Sequence, residues 1–302
     1  MPSYYLTTSF CLLICNFLSK PAGAQLPDIR SVKPDLIVPE MTDDEPAAGR
    51  RVKLSLNSWQ NSEAYHVLYL PRDWQPDKHY PVLVEWTGNG NYRSKIGDVS
   101  TGLPEDSKLG YGLSGGDGFI WLSLPYLNGA GDDVAITWWG DPPDYDPEPT
   151  LRYCREAVAT VCQDYSGDKD RVVLCGFSRG AIAGNYLGLH DDKTSKLWCG
   201  FFFYSHYDGV RNWPYPNSDR TAALTRLQRL KGRPQFICHE GAGIDATRDY
   251  LVPLVRDGNL TFAKTGFRNH NNEWILRPSK ARDAARKWLT DQTRRKKPSD
   301  RR

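Results

Sequence analysis

The sequence predicts an α/β fold, a mostly parallel central sheet with helices on both faces. Three observations predict it. Short, continuously apolar runs recur along the chain, as in Tyr80–Trp86 and Leu197–Tyr204. Stretches of helical length separate them. One run, Arg171–Cys175, meets a helix pattern across the turn Gly176-Phe177-Ser178-Arg179-Gly180. Continuous apolar strands imply burial on both faces, which is the condition of a parallel sheet. Strands alternating with helices imply crossover units. The 302 residues suffice for one large domain with a substantial core.

In chain order, residues 1–24 stand apart. Phe10–Cys15 and Leu18 form a short apolar core, and Ala22-Gly23-Ala24 supplies small residues at peptidase spacing. A signal peptide cleaved after Ala24 is expected, hence a secreted or periplasmic location with no stable membrane insertion afterwards. Residues 25–50, rich in Pro and acid, read as an extended leader. The domain proper is read as 51–292. Arg51–Asn57 and Ala64–Leu70 alternate like an antiparallel pair. The buried strands follow at 80–86, 118–124, 171–175, 197–204, 234–238 and 260–264. Helices are expected at 148–164, 179–190, 218–231, 246–257 and 278–293. Residues 293–302 read as a disordered basic tail. Two long connections, 88–117 and 125–149, leave strand carboxyl ends, where ligands gather in such sheets.

Composition narrows the function. The net charge of +3 with no basic stripe gives no reason to expect a nucleic-acid partner. Of seven cysteines, two lie in the leader, and Cys175, Cys199 and Cys238 sit in apolar runs as small buried hydrophobes. Cys154 and Cys162 are too far apart on one helix for a mutual bridge. No cysteine–histidine pattern has zinc spacing. Asp141, Asp144, Asp146 and Glu148 read as a solvated acidic loop, because calcium-loop spacing is missing.

Ser178 sits where a strand must become a helix within one or two residues. Such a turn is strained, and glycines at 176 and 180 remove the side chains that would collide. The turn aims Oγ and the helix's first amides at the same point above the sheet. This is the setting of a nucleophile elbow. A serine hydroxyl needs a base, and the base needs an acid to fix its tautomer. In this architecture acid and histidine follow the serine in that order. Asp245, after the strand at 234–238, is the first choice for the acid, with Asp249 in reserve and Glu240 weaker. His270, after the strand at 260–264, is the candidate base.

These residues together resemble the α/β-hydrolase superfamily: Gly176-Phe177-Ser178-Arg179-Gly180, the late Asp245, and His270 with Trp274. The layout is similar to secreted esterases of the polyhydroxybutyrate-depolymerase and feruloyl-esterase type, over roughly residues 50–292. The resemblance implies an α/β-hydrolase fold and two-step acyl transfer on a carboxylic ester, possessing no metal or organic cofactor. It implies an oxyanion hole from the Arg179 amide and a second amide at Gly88 or Asn89. Arg179 adds a positive charge near that site. Trp138, Trp139, Tyr126 and Tyr92 suggest an aromatic platform for a sugar ring or aromatic acyl group, and His206 a pocket wall. A small-molecule or polymer ester is thus the expected partner. A peptidase of the same fold and a catalytically silent binding protein are the competing readings.

Overall fold

A computed structural model describes residues 26–255 and 260–295; the expected signal peptide at 1–24 and the tail from 296 lie outside the described residues. Its main sheet has nine strands in the order β1-β2-β3-β7-β4-β8-β9-β10-β11. In chain order these are β1 (Met41–Thr42), β2 (Arg51–Leu54), β3 (His66–Tyr69) and β4 (Tyr80–Trp86). A small hairpin follows, β5 (Tyr92–Arg93) with β6 (Val99–Ser100), and then helix α1 (Leu109–Ser114). Next come β7 (Ile120–Leu124), α2 (Glu148–Asp164), β8 (Gly167–Phe177) and α3 (Arg179–Tyr186). The chain closes with α4 (Asp192–Ser195), β9 (Gly200–Tyr204), α5 (Arg220–Leu227), β10 (Gln235–His239), α6 (Gly243–Leu251), β11 (Leu260–Lys264) and α7 (Lys280–Thr293).

From β7 across to β11 every neighbouring pair is parallel, and β2 and β3 form the antiparallel entry. Every residue of β4, β7 and β9 is buried, so both faces of the sheet centre are covered. Two apolar clusters do this, one holding Val82, Val84, Leu174 and Phe203, the other Leu83, Val173, Cys175 and Phe202. The alternation along β4 and β8 assigns successive residues to opposite faces.

The connection at 88–117 is not a bare loop. It holds the β5–β6 hairpin and α1, and α1 is docked by a buried carboxylate. Glu85, in mid-β4, accepts the backbone N–H groups of Lys108, Leu109 and Gly110 and the indole N–H of Trp121. Burial pushes the Glu85 carboxyl up, against the pull of those four donors. The expected helix at 246–257 begins instead at Gly243, three residues earlier, with no side-chain cap. The displacement moves Asp245 from a loop into a helix.

One buried histidine makes acid stability predictable. His66 is fully buried on β3, and its Nδ1 lies 2.9 Å from the Tyr153 hydroxyl. Burial lowers its pKa to about 4. The folded chain thus resists a proton that the unfolded chain accepts near its ordinary value, about 6.5. Its contribution is complete above that value and is lost as pH falls from about 6.5 towards 4, up to about 3 kcal/mol. Urea titrations of wild type and His66→Phe at pH 7 and pH 4.5 should show a smaller acid loss in the variant; equal losses would refute the assignment.

Candidate active site

The elbow at residue 178 forms as the glycines require. Ser178 has φ 54 and ψ −113, a conformation L residues rarely take, at the junction of β8 and α3. A Cβ on Gly176 would lie 2.1 Å from the Gly180 carbonyl oxygen, and one on Gly180 would lie 1.9 Å from the Trp86 carbonyl oxygen. A side chain at 176 would force β8 and the start of α3 apart, and one at 180 would push the turn away from β4.

His270, after β11, places Nε2 3.0 Å from Ser178 Oγ. Its Nδ1 lies 2.8 Å from Glu240 Oε1. The carboxylate can only accept, so Nδ1 carries the proton and Nε2 is left to accept from the serine hydroxyl. Burial pushes the Glu240 carboxyl up, but the hydrogen bond from His270 and its charge outweigh this and hold it below the ordinary value. Ser205, at the end of β9 with φ 88, reinforces the contact. Its Oγ lies 2.8 Å from His270 Nδ1 and donates to Glu240 Oε1 at 3.2 Å.

Asp245 does not meet the histidine, which corrects the expectation from sequence. It sits in the first turn of α6, where a helix N-terminus favours an acid. Its carboxylate pairs with Arg248 at 2.9 Å and Lys264 at 3.7 Å, with its side chain 49% exposed. Asp249 is further along the same helix. Because α6 starts at Gly243, only residues 240–242 separate it from β10. Glu240, the first residue past β10, is the carboxylate carried to the histidine. The strand's end was the available signal, and the uncapped helix start hid it.

The histidine loop is held from below. Asp98, 2% exposed, accepts the His270 backbone N–H at 3.2 Å and the Asn269 side-chain N–H at 2.9 Å. Asn269 Oδ1 in turn accepts the Ile29 N–H. The leader, read as merely extended, thus anchors the loop that carries His270. Neither Asp98 nor Ser205 carries a local sequence signal, because each is recruited from a distant segment.

The two amides expected at the oxyanion position are placed as follows. The Gly88 carbonyl accepts from the Arg179 guanidinium at 3.0 Å. In a trans peptide this turns the following N–H, that of Asn89, the opposite way. Asn89 lines the cleft beside Ser178. Among the described residues, none of the Gly88, Asn89 and Arg179 backbone N–H groups donates to a backbone carbonyl. Of the pair Gly88 and Asn89, the geometry favours Asn89.

The cleft over Ser178 holds about 160 Å³ and is walled by Tyr92, Trp138, Phe177, Ile182, His206 and Trp213. Ring contacts surround the imidazole: Tyr92 at 5.4 Å, Phe177 at 4.9 Å and His206 at 5.3 Å from it. Burial lowers the His206 pKa to about 4, so this neighbour is neutral. Trp139 and Tyr126, expected in the platform with Trp138, are both fully buried. They pack against each other and, in turn, against Tyr186 and Trp86 beneath the cleft. The apolar interior takes the two rings that the loop turns inward. Trp213, not expected, takes the wall position, 5.5 Å from Trp138.

No protein-family model and no curated protein sequence matches the chain. Solved structures do. A thermostable esterase superposes with TM-score 0.51 at 16% identity, over 81% of this chain and 63% of its own. A fluorophosphonate-binding serine hydrolase of Staphylococcus aureus, with substrate bound, gives 0.51 at 11%, over 82% of this chain and 100% of its own. Dipeptidyl peptidase 4 of Porphyromonas gingivalis gives 0.50 at 15%, over 81% and 36%. The chain therefore spans under two thirds of the esterase and about a third of the peptidase. The sheet order, the elbow after β8 and these superpositions agree: the chain has the α/β-hydrolase fold.

Proposed function

We propose that the protein is a serine hydrolase acting on carboxylic esters. The observation that carries this is the unbroken chain from Ser178 Oγ through His270 to Glu240, at 3.0 and 2.8 Å, beside two undirected amides. In the first step Ser178 Oγ attacks the ester carbonyl, and its proton passes to His270 Nε2. The carbonyl π pair moves onto oxygen, and the Asn89 and Arg179 amides donate hydrogen bonds to the oxyanion. The pair on oxygen then re-forms the carbonyl, the bond to the alcohol oxygen breaks, and the leaving alcohol takes the proton from His270. Water then repeats the sequence on the acyl-enzyme. Glu240 keeps the imidazole in the productive tautomer and stabilises its charge throughout. The acyl or alcohol ring lies against Trp138, Trp213 and Tyr92, which suits a sugar-linked or aromatic ester. Export after loss of residues 1–24 belongs to the same proposal and rests on the leader's sequence; N-terminal sequencing of secreted protein tests it.

The experiment is labelling by a fluorophosphonate and turnover of short-chain p-nitrophenyl esters and their anilide counterparts. Labelling at Ser178 with ester turnover is the expected result. Faster cleavage of the anilide would make the protein an amidase. Neither labelling nor turnover would leave a hydrolase fold used for binding.

A further inference from the structure

Arg179 holds a charge that nothing in the described structure neutralises. Its side chain is buried, with the residue 1% exposed. Nη2 donates to the carbonyls of Gly88 at 3.0 Å and Gly102 at 3.1 Å, and Nη1 donates to that of Ala135 at 3.3 Å. The guanidinium lies over the Tyr126 ring, 3.8 Å from its centroid. Burial lowers its pKa to about 10, which still leaves it charged at neutral pH. Three other buried arginines are paired, Arg226 with Asp208 at 2.9 Å, Arg277 with Glu273 at 3.3 Å, and Arg282 with Asp35, while buried Arg51, far from the cleft, donates only to the Pro39 and Glu105 carbonyls and lies over Trp121. Among the described residues no carboxylate lies within ion-pair distance of Arg179. Burying a cation without its counter-ion is among the costlier arrangements in a protein.

The carbonyls come from both long connections: Gly88 and Gly102 flank the β5–β6 hairpin, and Ala135 follows β7. The Gly90 N–H donates to Ile136 O at 2.6 Å, and a Cβ on Gly102 would lie 2.1 Å from that same oxygen. The loops are interleaved at backbone contact, and a planar fork of donors is suited to fastening them from beneath.

We propose that the Arg179 side chain is a positioning and electrostatic element of the oxyanion site: it holds the Gly88 carbonyl so that the Asn89 N–H faces the cleft, and its counter-charge is the oxyanion itself. This rests on the hydrolase reading above. When Oγ bonds to the carbonyl carbon, its proton goes to His270 and the π pair goes to oxygen. Negative charge then appears across the Gly88–Asn89 peptide from a guanidinium that no carboxylate among the described residues screens, in a setting where charges act strongly. A neutral ester in the ground state gains far less. The effect therefore belongs to kcat rather than KM.

The test compares wild type, Arg179→Met and Arg179→Lys on the ester that the wild type cleaves. It measures kcat, KM, melting temperature and inhibition by a trifluoromethyl ketone, which adds Oγ to form an oxyanion. A folded Met variant should lose roughly 10²–10³-fold in kcat, with KM nearly unchanged and ketone affinity falling in parallel. The Lys variant keeps the charge but not the fork, and should fall between. A folded Met variant with wild-type kcat, or one that loses kcat but not ketone affinity, overturns the proposal. If the Met variant does not fold, the Lys variant decides: wild-type kcat and ketone affinity overturn it, and a parallel fall in both supports it. A wild type inert to ester and phosphonate alike sinks the hydrolase reading, and this proposal with it. An active wild type with an active Met variant sinks this proposal alone.

Discussion

Replacing Ser178 with alanine is expected to lower kcat by roughly 10⁵–10⁶-fold while leaving the fold intact. Among the described residues the hydroxyl has one side-chain partner, His270 Nε2, so its loss unties nothing else there. The strained backbone at φ 54 is set by the close approach of Gly176 and Gly180 to their neighbours, not by the serine side chain. Melting temperature should stay near that of wild type. Fluorophosphonate labelling should vanish together with turnover. An alanine variant that still turned over ester would remove the acyl-enzyme mechanism and leave the elbow a structural turn.

The second large effect separates two carboxylates five residues apart. Glu240→Gln should cost roughly 10³–10⁴-fold in kcat, because an amide can present its N–H to Nδ1 and hold the imidazole in the wrong tautomer. Asp245→Asn should leave kcat within about threefold, since it removes only exposed ion pairs with Arg248 and Lys264. Both are read from initial rates on one ester at neutral pH. The reverse ranking would return the acid to α6. In wild type the carboxylate, held low by His270, stays ionised well into the acid range, so its own protonation should not limit rates near neutrality.

Much of this architecture follows from local pattern. The run Tyr80–Trp86 had to be a central strand, because seven successive apolar or buried residues tolerate no solvent face. Helix α2 falls on 148–164 as its apolar spacing predicts. Ser178 is legible because an elbow is a local object: its two glycines, strand and helix lie within twenty residues. His270 is legible through chain order, as the histidine in the loop after the last strand.

The acid, the cleft wall and the support of the histidine loop were decided only in three dimensions. Helix α6 begins at an uncapped Gly243, a start set by packing on β10 and β11 rather than by a capping residue. That start turned Asp245 into a first-turn helix acid and left Glu240 at the strand end. Trp138 and Trp139 are adjacent and identical in type, yet one lines the cleft and the other is buried. Only the path of the loop sorts them. Asp98, Ser205 and the carbonyls that accept from Arg179 reach the site from segments 35 to 172 residues away from their partners. Periodicity and steric demand act over a few neighbouring residues, so the central strands, the elbow and the serine at its tip could be read directly from the chain. The tertiary structure alone decided which acid, which rings and which donors meet them, because those contacts depend on loop paths that no local pattern encodes.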